Sequence, residues 1–246
     1  MAKVRRIVGV RSLDELPEPS IERLGDGAWS GYRIGKLLLR PEEGIWLPAL
    51  QFVPEENDKR VVLYVHELGK AADAAPCGRI EELVRDGDSV LAVDLRGTGQ
   101  TQAGGPPKPG AGPSVDFKGA FLAYLLGRNY VGARAEDVLV CARHAAETSG
   151  IGGEVGIHLI AIGNVGVPAL HAAALEPDLF ASVTISRSLC SWSNVIELGR
   201  TEGQLTNVVH GALTCYDLPN LAEVLGDRLT ITDPVDALER PIDAAK

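Results

Sequence analysis

EVGIHLIAIGNVGVPALHAAALEP, from Glu154 to Pro177, is the stretch that decides the fold. Its first part, Val155 to Ile162, is a nearly continuous apolar run, which is typical of a strand buried on both faces of a parallel sheet. Its second part, from about Gly166 to Leu175, is rich in alanine and leucine, which favour a helix. Because glycine allows a sharp change of chain direction, the stretch predicts a buried strand, a tight turn at Gly163 and a helix.

Similar segments on both sides of this stretch repeat the alternation of strand and helix. The predicted strands are Tyr32–Arg40, Leu47–Val53, Arg60–Glu67, Ser89–Leu95, Phe180–Leu189 and Arg228–Thr232. The predicted helices are Pro76–Asp86, Phe121–Leu126, Ala133–Thr148 and Pro219–Leu225, with a further helix somewhere within Glu197–Thr214. The turn at residues 41–44 predicts an antiparallel hairpin of the first two strands. The remaining alternation predicts an α/β fold with a doubly wound, mostly parallel sheet.

Domain organisation is predicted to be simple. The sequence contains no internal repeat and no low-complexity linker, so we expect a single domain over residues 1–246. Residues 1–30 contain Pro17 and Pro19, and we expect them to form an irregular amino-terminal arm. The Gly/Pro-rich segment from Arg96 to Lys118 is predicted to be a long loop, which in a compact domain is often functional.

Composition limits the classes of partner. The chain has 246 residues, of which 45% are hydrophobic and 23% charged, as in a globular protein with a sizeable core. A net charge of −9 argues against nucleic acid and anionic membranes as partners. There is no apolar run of about 18 residues and no signal peptide, so a complete chain would be expected in the cytoplasm.

Cofactor and metal sites are not indicated by the sequence. No two of the four cysteines are close enough in sequence for a zinc or redox motif, and we expect buried free thiols. The glycines at 97 and 99 lack the further spaced glycine and the helix of a nucleotide-binding motif. We therefore expect no cofactor and no metal. The cysteines are Cys77, Cys141, Cys190 and Cys215.

Between Arg60 and Asp236, about three quarters of the chain, five segments in order resemble the α/β-hydrolase family and within it the acetylxylan-esterase-like branch. They are LYVHELGK (63–70), VLAVDLRGTGQT (90–101), LIAIGNVGVPALHAAALEPDLF (159–180), HGALTCYDLPNLAEVL (210–225) and ITDPVDAL (231–238). The resemblance implies the α/β-hydrolase fold, here truncated at the last strand. It also implies descent from hydrolases of acylated carbohydrates or small esters.

The resemblance also assigns positions to the catalytic triad, and two of the three lack the required side chain. The nucleophile of the G-x-S-x-G elbow falls on Gly163, which has no hydroxyl to attack an ester. The acid falls on Asp236, with Asp233 as a nearby alternative, although either aspartate could simply cap its loop beside Pro234. No histidine follows Asp236 in the sequence.

The oxyanion hole is implied at the backbone N–H groups of Glu67 and Asn164. The family usually has His-Gly where this chain has His66-Glu67. A Glu67 carboxylate pointing inward would oppose a developing oxyanion, whereas one pointing outward would be harmless. The sequence leaves these two orientations open.

A displaced nucleophile is an alternative. Ser191 could pair with His210 near the carboxyl edge of the sheet, where ligands bind in such folds. Equally, Trp192 could pack, the serines could cap a helix and His210 could be structural. Other candidate groups near this edge are Ser188, Cys190, Ser193 and His66, whereas Asp94 and Arg96 are predicted to form salt bridges and His144, His158 and His171 to be structural.

Two functions therefore remain open. The first is an ester hydrolase that uses unusual residues, and the second is a non-catalytic protein that binds a ligand or a partner on the same fold. In either case we expect a pocket for a small molecule or carbohydrate at the carboxyl edge. Its predicted lining is His66, Glu67, Asn164, Trp192, Asp236 and His210. The sequence does not indicate an oligomeric state.

Overall fold

A computed structural model describes residues 1–56, 60–105, 115–148 and 156–242. Eight strands form one sheet in the spatial order β1-β2-β3-β5-β4-β6-β7-β8. The strands are β1 (Ser20–Trp29), β2 (Tyr32–Glu42), β3 (Ile45–Pro54), β4 (Val61–His66), β5 (Ser89–Val93), β6 (Ile157–Ile162), β7 (Phe180–Ser186) and β8 (Leu229–Thr232).

Helices cover both faces of the sheet. They are α1 (Ala2–Val8), α2 (Arg79–Arg85), α3 (Phe117–Leu125), α4 (Tyr130–Thr148), α5 (Gly166–Leu175), α6 (Ser193–Leu198) and α7 (Leu218–Leu225). The larger apolar core contains residues of α1, α4, α5 and α7, and the smaller core on the opposite face contains residues of α2. This arrangement confirms the predicted doubly wound α/β class.

The central strand β4 shows how the sequence builds both cores. Side chains of a strand alternate between its two faces. Val61, Leu63 and Val65 accordingly belong to the larger core, whereas Val62 and Tyr64 belong to the smaller one. All six residues of the strand are buried, which explains why its sequence is a continuous apolar run and not an alternating one.

The amino-terminal region differs from the prediction. The hairpin of β2 and β3 is antiparallel as expected. Residues 1–30, however, are not an irregular arm, because they contain α1 and the long edge strand β1, which pairs antiparallel with β2. Val4 and Val8 of α1 are buried in the larger core, so an apolar contact with residues distant in sequence orders this segment. The prolines at 17 and 19 merely separate the two elements.

Strand direction places the loops. β5, β4, β6, β7 and β8 run parallel to one another, so the loops that follow them all leave the same edge of the sheet, as predicted. Within the loop predicted from Arg96 to Lys118, the described residues include a short 3₁₀ helix (Gly99–Thr101) and the start of α3; residues 106–114 lie outside the described part.

Smaller differences concern element boundaries. The helix expected within Glu197–Thr214 corresponds only to the end of α6, followed by two 3₁₀ helices, Gln204–Asn207 and Ala212–Thr214. The predicted start of β6 at Val155 lies outside the described residues. None of the described helices has the length and apolar composition that a membrane crossing requires.

Candidate site at the carboxyl edge of the sheet

The turn after β6 has the backbone of a sharp elbow. Gly163 has φ of +77°, in the left-handed region that glycine adopts readily, and it begins a short 3₁₀ turn that leads directly into α5. This confirms the turn predicted at Gly163. The elbow therefore keeps its shape although the residue at its tip has no side chain.

The carboxylate of Glu67 occupies the space above this elbow. A Cβ built on Gly163 would collide with all three terminal atoms of the Glu67 side chain. Oε2 of Glu67 also accepts a hydrogen bond from the backbone N–H of Asn164, at 2.9 Å. Glu67 thus points inward, toward the place where a nucleophile would stand and onto the N–H expected to stabilise an oxyanion. This resolves the orientation that the sequence left open.

The environment of Glu67 both opposes and supports its charge. Its side chain is only 12% exposed, and this burial raises the pKa of the carboxyl group. The Asn164 N–H and the guanidinium of Arg187, whose Nη2 is 3.8 Å from Oε1, favour the ionised form, while Glu239 disfavours it. Arg187 directly follows β7, and its backbone is in the left-handed conformation, with φ of +52°.

His66, the last residue of β4, lies close to the carboxylate of Asp73 at the same edge of the sheet. Its Nδ1 accepts a hydrogen bond from the Leu68 N–H at 3.0 Å, and its Nε2 lies 3.4 Å from Nη2 of Arg187 and 3.8 Å from Oδ2 of Asp73. Oδ2 of Asp73 in turn accepts a hydrogen bond from the hydroxyl of Tyr64 at 2.5 Å. Burial lowers the pKa of His66, which favours the neutral ring.

The side chain of Asn164 ties the elbow to the 3₁₀ helix at residues 204–207. Its Oδ1 accepts hydrogen bonds from Nε2 of Gln204 at 3.1 Å and from Nδ2 of Asn207 at 3.3 Å. Both partners are buried. Sequence reasoning missed this amide cluster, because nothing in the spacing of Gln204 and Asn207 indicates that their segment folds back over the elbow.

Asp236, to which the resemblance assigned the triad acid, closes its own turn. Its Oδ1 accepts from the N–H groups of Leu238 and Arg240, and Oδ2 accepts from Nε of Arg240 at 2.7 Å. The hydrogen bonds from Arg240 hold the pKa of Asp236 below its usual value. Within the described part of the chain, its carboxylate contacts residues 238–240 and no histidine. Asp233, the alternative, is exposed with φ of +48°.

The two members of the displaced pair have other partners. Oγ of Ser191 donates to Oδ2 of Asp217 at 2.7 Å, where the same carboxylate also accepts the N–H groups of Trp192 and Ser193. His210 is exposed, and its ring lies against Tyr124 with a centroid separation of 6.1 Å. The structure thus favours the interpretation in which these serines belong to a capped turn.

Trp192 was expected to line the pocket, and that expectation is wrong. The indole is 6% exposed and packs against His171 and Tyr216, and its Nε1 donates to the carbonyl of Asn207 at 2.9 Å. His171 is fully buried, and burial lowers its pKa to about 4. Trp192 therefore belongs to an aromatic cluster of the core and does not line the predicted pocket.

A cavity of about 540 Å³ lies elsewhere on the same edge, beside the end of β5 and the start of β3. Its wall includes Trp46, which is 43% exposed, with the Arg40 guanidinium carbon 5.0 Å from the indole centroid. The hydroxyl of Tyr130 and the carboxylate of Asp116, 2.6 Å apart, also line it. Sequence reasoning missed all of these; the one available signal was a tryptophan at a strand start beside the hairpin turn.

Buried ion pairs hold the floor of this cavity. Arg96 donates to both carboxylate oxygens of Asp137, at 2.8 and 2.6 Å, and to Glu42 at 3.1 Å. Nearby, Nζ of Lys70 is 2.6 Å from Oδ2 of Asp94. Asp94 and Arg96 thus both take part in salt bridges, as predicted, but with Lys70 and Asp137 and not with each other. Among the described residues, no three histidine, cysteine or carboxylate side chains come together in an arrangement that would bind a metal ion.

Comparison by sequence finds no relative. No family model matches the chain, and no curated protein matches it at a significant level.

Solved structures, in contrast, match closely in fold. A protein from Bacteroides fragilis, provisionally named an acetyl xylan esterase, is 15% identical with a TM-score of 0.74, over 95% of this chain and 66% of its own. Acetyl xylan esterase 1 from Thermoanaerobacterium is 16% identical with a TM-score of 0.63, over 98% and 89%. An acetyl xylan esterase from Paenibacillus is 13% identical with a TM-score of 0.58, over 94% and 75%. This chain has the α/β-hydrolase fold of those esterases.

Proposed function

We propose that this chain is an α/β-hydrolase-fold protein of ester-hydrolase ancestry that binds a ligand without hydrolysing it. The observation that carries the proposal is the Glu67 carboxylate, which fills the space over Gly163 and accepts the Asn164 N–H. Acyl transfer needs a nucleophile at this tip and a free N–H for the developing oxyanion. Here the first is absent and the second is engaged.

Electrostatics add to this argument. The tetrahedral intermediate of ester hydrolysis is an oxyanion, and a nearby carboxylate would repel it. Arg187 at 3.8 Å offsets part of the charge of Glu67, but its guanidinium is half exposed and therefore screened by solvent. The Glu67 carboxylate would oppose the transition state and fills the space above Gly163. This supports ligand binding away from the elbow over catalysis at the elbow.

The cavity beside Trp46 is the place we propose for the ligand. An exposed indole offers a flat apolar face, and the Tyr130–Asp116 pair adds polar atoms that can orient a hydroxylated or acylated molecule. A carbohydrate or a small ester fits this combination. The structural neighbours named as acetyl xylan esterases support the same ligand class.

Hydrolysis of p-nitrophenyl acetate by the purified chain tests the first part. We expect turnover no faster than that of an equal concentration of the unfolded chain, and no change in Ser191→Ala or Glu67→Gln. An enzyme-like rate that disappears in Ser191→Ala would overturn the proposal in favour of a displaced serine. A rate that disappears in Glu67→Gln would overturn it in favour of Glu67 as a reacting group.

Calorimetric titration with acetylated xylo-oligosaccharides tests the second part. We expect measurable binding that Trp46→Ala weakens at least about fivefold, since a lost aromatic contact costs on the order of 1 kcal/mol or more. Trp29→Ala is the matched control, because Trp29 is 52% exposed but does not line the cavity. Equal binding by Trp46→Ala and the wild type would place the ligand elsewhere.

A further inference from the structure

The helix α3 is apolar on its outer surface. None of its residues is buried, and six large side chains on α3 and the residue after it are between 49% and 78% exposed. They are Phe117, Phe121, Leu122, Tyr124, Leu125 and Leu126, and together they form what we call the α3 surface. Monomeric proteins rarely expose contiguous apolar groups in this number, so such a patch usually marks an interaction site.

The packing of α3 against other described residues leaves its large side chains exposed. The inner side of the helix, with Gly119, Ala120 and Ala123, lies against α4 and the 3₁₀ helix at residues 204–207. These small side chains leave cavities on both flanks, the 540 Å³ cavity described above and a second of about 200 Å³ lined by Phe121, Tyr124, Val208 and His210. The large side chains therefore stand on a raised ridge beside a hollow.

We propose that the α3 surface is a two-fold dimer interface, occupied by the same surface of a second copy of this chain. The size fits this occupant. At about 150–250 Å² per aromatic side chain, burial of three aromatic and three leucine side chains of this exposure removes on the order of 700 Å² from each copy. A stable interface of standard size buries about 800 Å² per partner.

Charge does not oppose a second copy at this surface. The chain carries a net charge of −9, so two copies repel unless the contact excludes acidic groups. Residues 117–130 contain no aspartate or glutamate, and their charged residues are Lys118 and Arg128. A ridge beside a hollow is self-complementary under two-fold rotation, because the ridge of each copy enters the 200 Å³ cavity of the other and leaves the cavity beside Trp46 open. The proposal does not depend on whether the elbow is catalytic.

Sedimentation equilibrium of the full chain from 1 to 100 µM tests the proposal. The wild type is expected to dimerise, and Leu125→Glu to weaken the association at least thirtyfold, as for a central apolar contact. Leu125→Met should keep the dimer. Ile196→Glu is the matched control, because Ile196 is similarly exposed, at 71%, but lies on α6.

The possible results distinguish a dimer interface from other uses of the α3 surface. A wild type that remains monomeric at 100 µM overturns the proposal, as does a dimer that Leu125→Glu leaves intact. A monomer that instead binds vesicles of neutral phospholipid also overturns it and assigns the surface to a membrane. If circular dichroism shows that Leu125→Glu does not fold, Leu126→Glu, just beyond the helix and 77% exposed, gives the same test.

Discussion

Two regions at the same edge of the sheet have opposite characters. Where β4 and β6 end, the elbow at Gly163 is closed by the Glu67 carboxylate. Where β5 ends and β3 begins, a cavity of about 540 Å³ is open beside Trp46. In both regions a strand of the parallel part of the sheet ends in a glycine-containing turn. The difference teaches that a sharp strand–helix elbow can keep its backbone geometry while a carboxylate fills the space above it.

The two regions also satisfy their polar groups differently. The closed elbow depends on one carboxylate that accepts a backbone N–H and has a guanidinium at 3.8 Å. The floor of the open cavity depends on Arg96, which makes a two-pronged pair with the fully buried Asp137. Because an unpaired buried charge is far more costly than a lost neutral contact, we expect the open region to be the more sensitive one.

Arg96→Ala should therefore destabilise the protein more than any substitution at the elbow. It leaves the Asp137 carboxylate buried without its main partner, and we expect a loss of about 3–5 kcal/mol in the free energy of unfolding. Arg128→Ala is the control, because its side chain is 45% exposed, and it should cost about 1 kcal/mol or less. Urea unfolding measures both. Equal losses would remove the distinction between the two regions.

His171, in the helix α5 behind the closed elbow, should make the stability of the protein fall in acid. Neutral His171 donates from Nδ1 to the Val167 carbonyl and accepts at Nε2 from the hydroxyl of Tyr216. Burial lowers its folded pKa to about 4, below the unfolded value of about 6.5. The unfolded state therefore binds the proton first, and stability falls as the pH decreases from about 6.5 to about 4, by on the order of 3 kcal/mol.

His171→Gln should flatten this part of the stability profile, whatever it costs at neutral pH. Urea unfolding of both proteins at several values between pH 4 and 7 measures the difference in slope. Parallel profiles would show that His171 is not held neutral by the core.

Much of the fold was predictable from the sequence, because it depends on local patterns. The apolar run of β4 and the glycine at 163 specify a buried strand and a turn whatever surrounds them. The site was harder, because it depends on side-chain direction. Trp192 and Trp46 are both tryptophans near element ends. Trp192 is buried by packing against His171, whereas Trp46 lines a cavity. Only the three-dimensional arrangement separates them.

Gly163→Ser tests how tightly the elbow is closed. Serine at φ of +77° is strained, and its Cβ requires Glu67 to move, so we expect a loss of about 1–3 kcal/mol with the fold retained. In a Glu67→Gly background the same substitution should cost less, because the collision is gone. Thermal unfolding of the four proteins in this cycle measures the coupling. Additive losses, or a gain in stability for Gly163→Ser alone, would contradict the closed elbow.

Glu67→Gln should give the smallest effect. The amide oxygen can still accept the Asn164 N–H, and the buried charge is removed, so we expect a change within about 1 kcal/mol at pH 7. The pKa of Glu67 is raised, so its ionisation disfavours the folded state as the pH increases from its unfolded value through its folded value. The variant should therefore gain stability relative to the wild type over that interval. A constant difference across it would contradict a buried, charged Glu67.

Intact-mass spectrometry after incubation with a fluorophosphonate tests the central claim most directly, since such reagents phosphonylate the activated serine of an ester hydrolase. The closed elbow at Gly163 predicts a protein of unchanged mass under conditions that fully label an active esterase. One stoichiometric adduct on the folded chain, mapped to Ser188, Ser191 or Ser193, would show that a working nucleophile exists and would contradict a non-catalytic elbow. The control is a chain unfolded before the incubation, which should carry no such adduct.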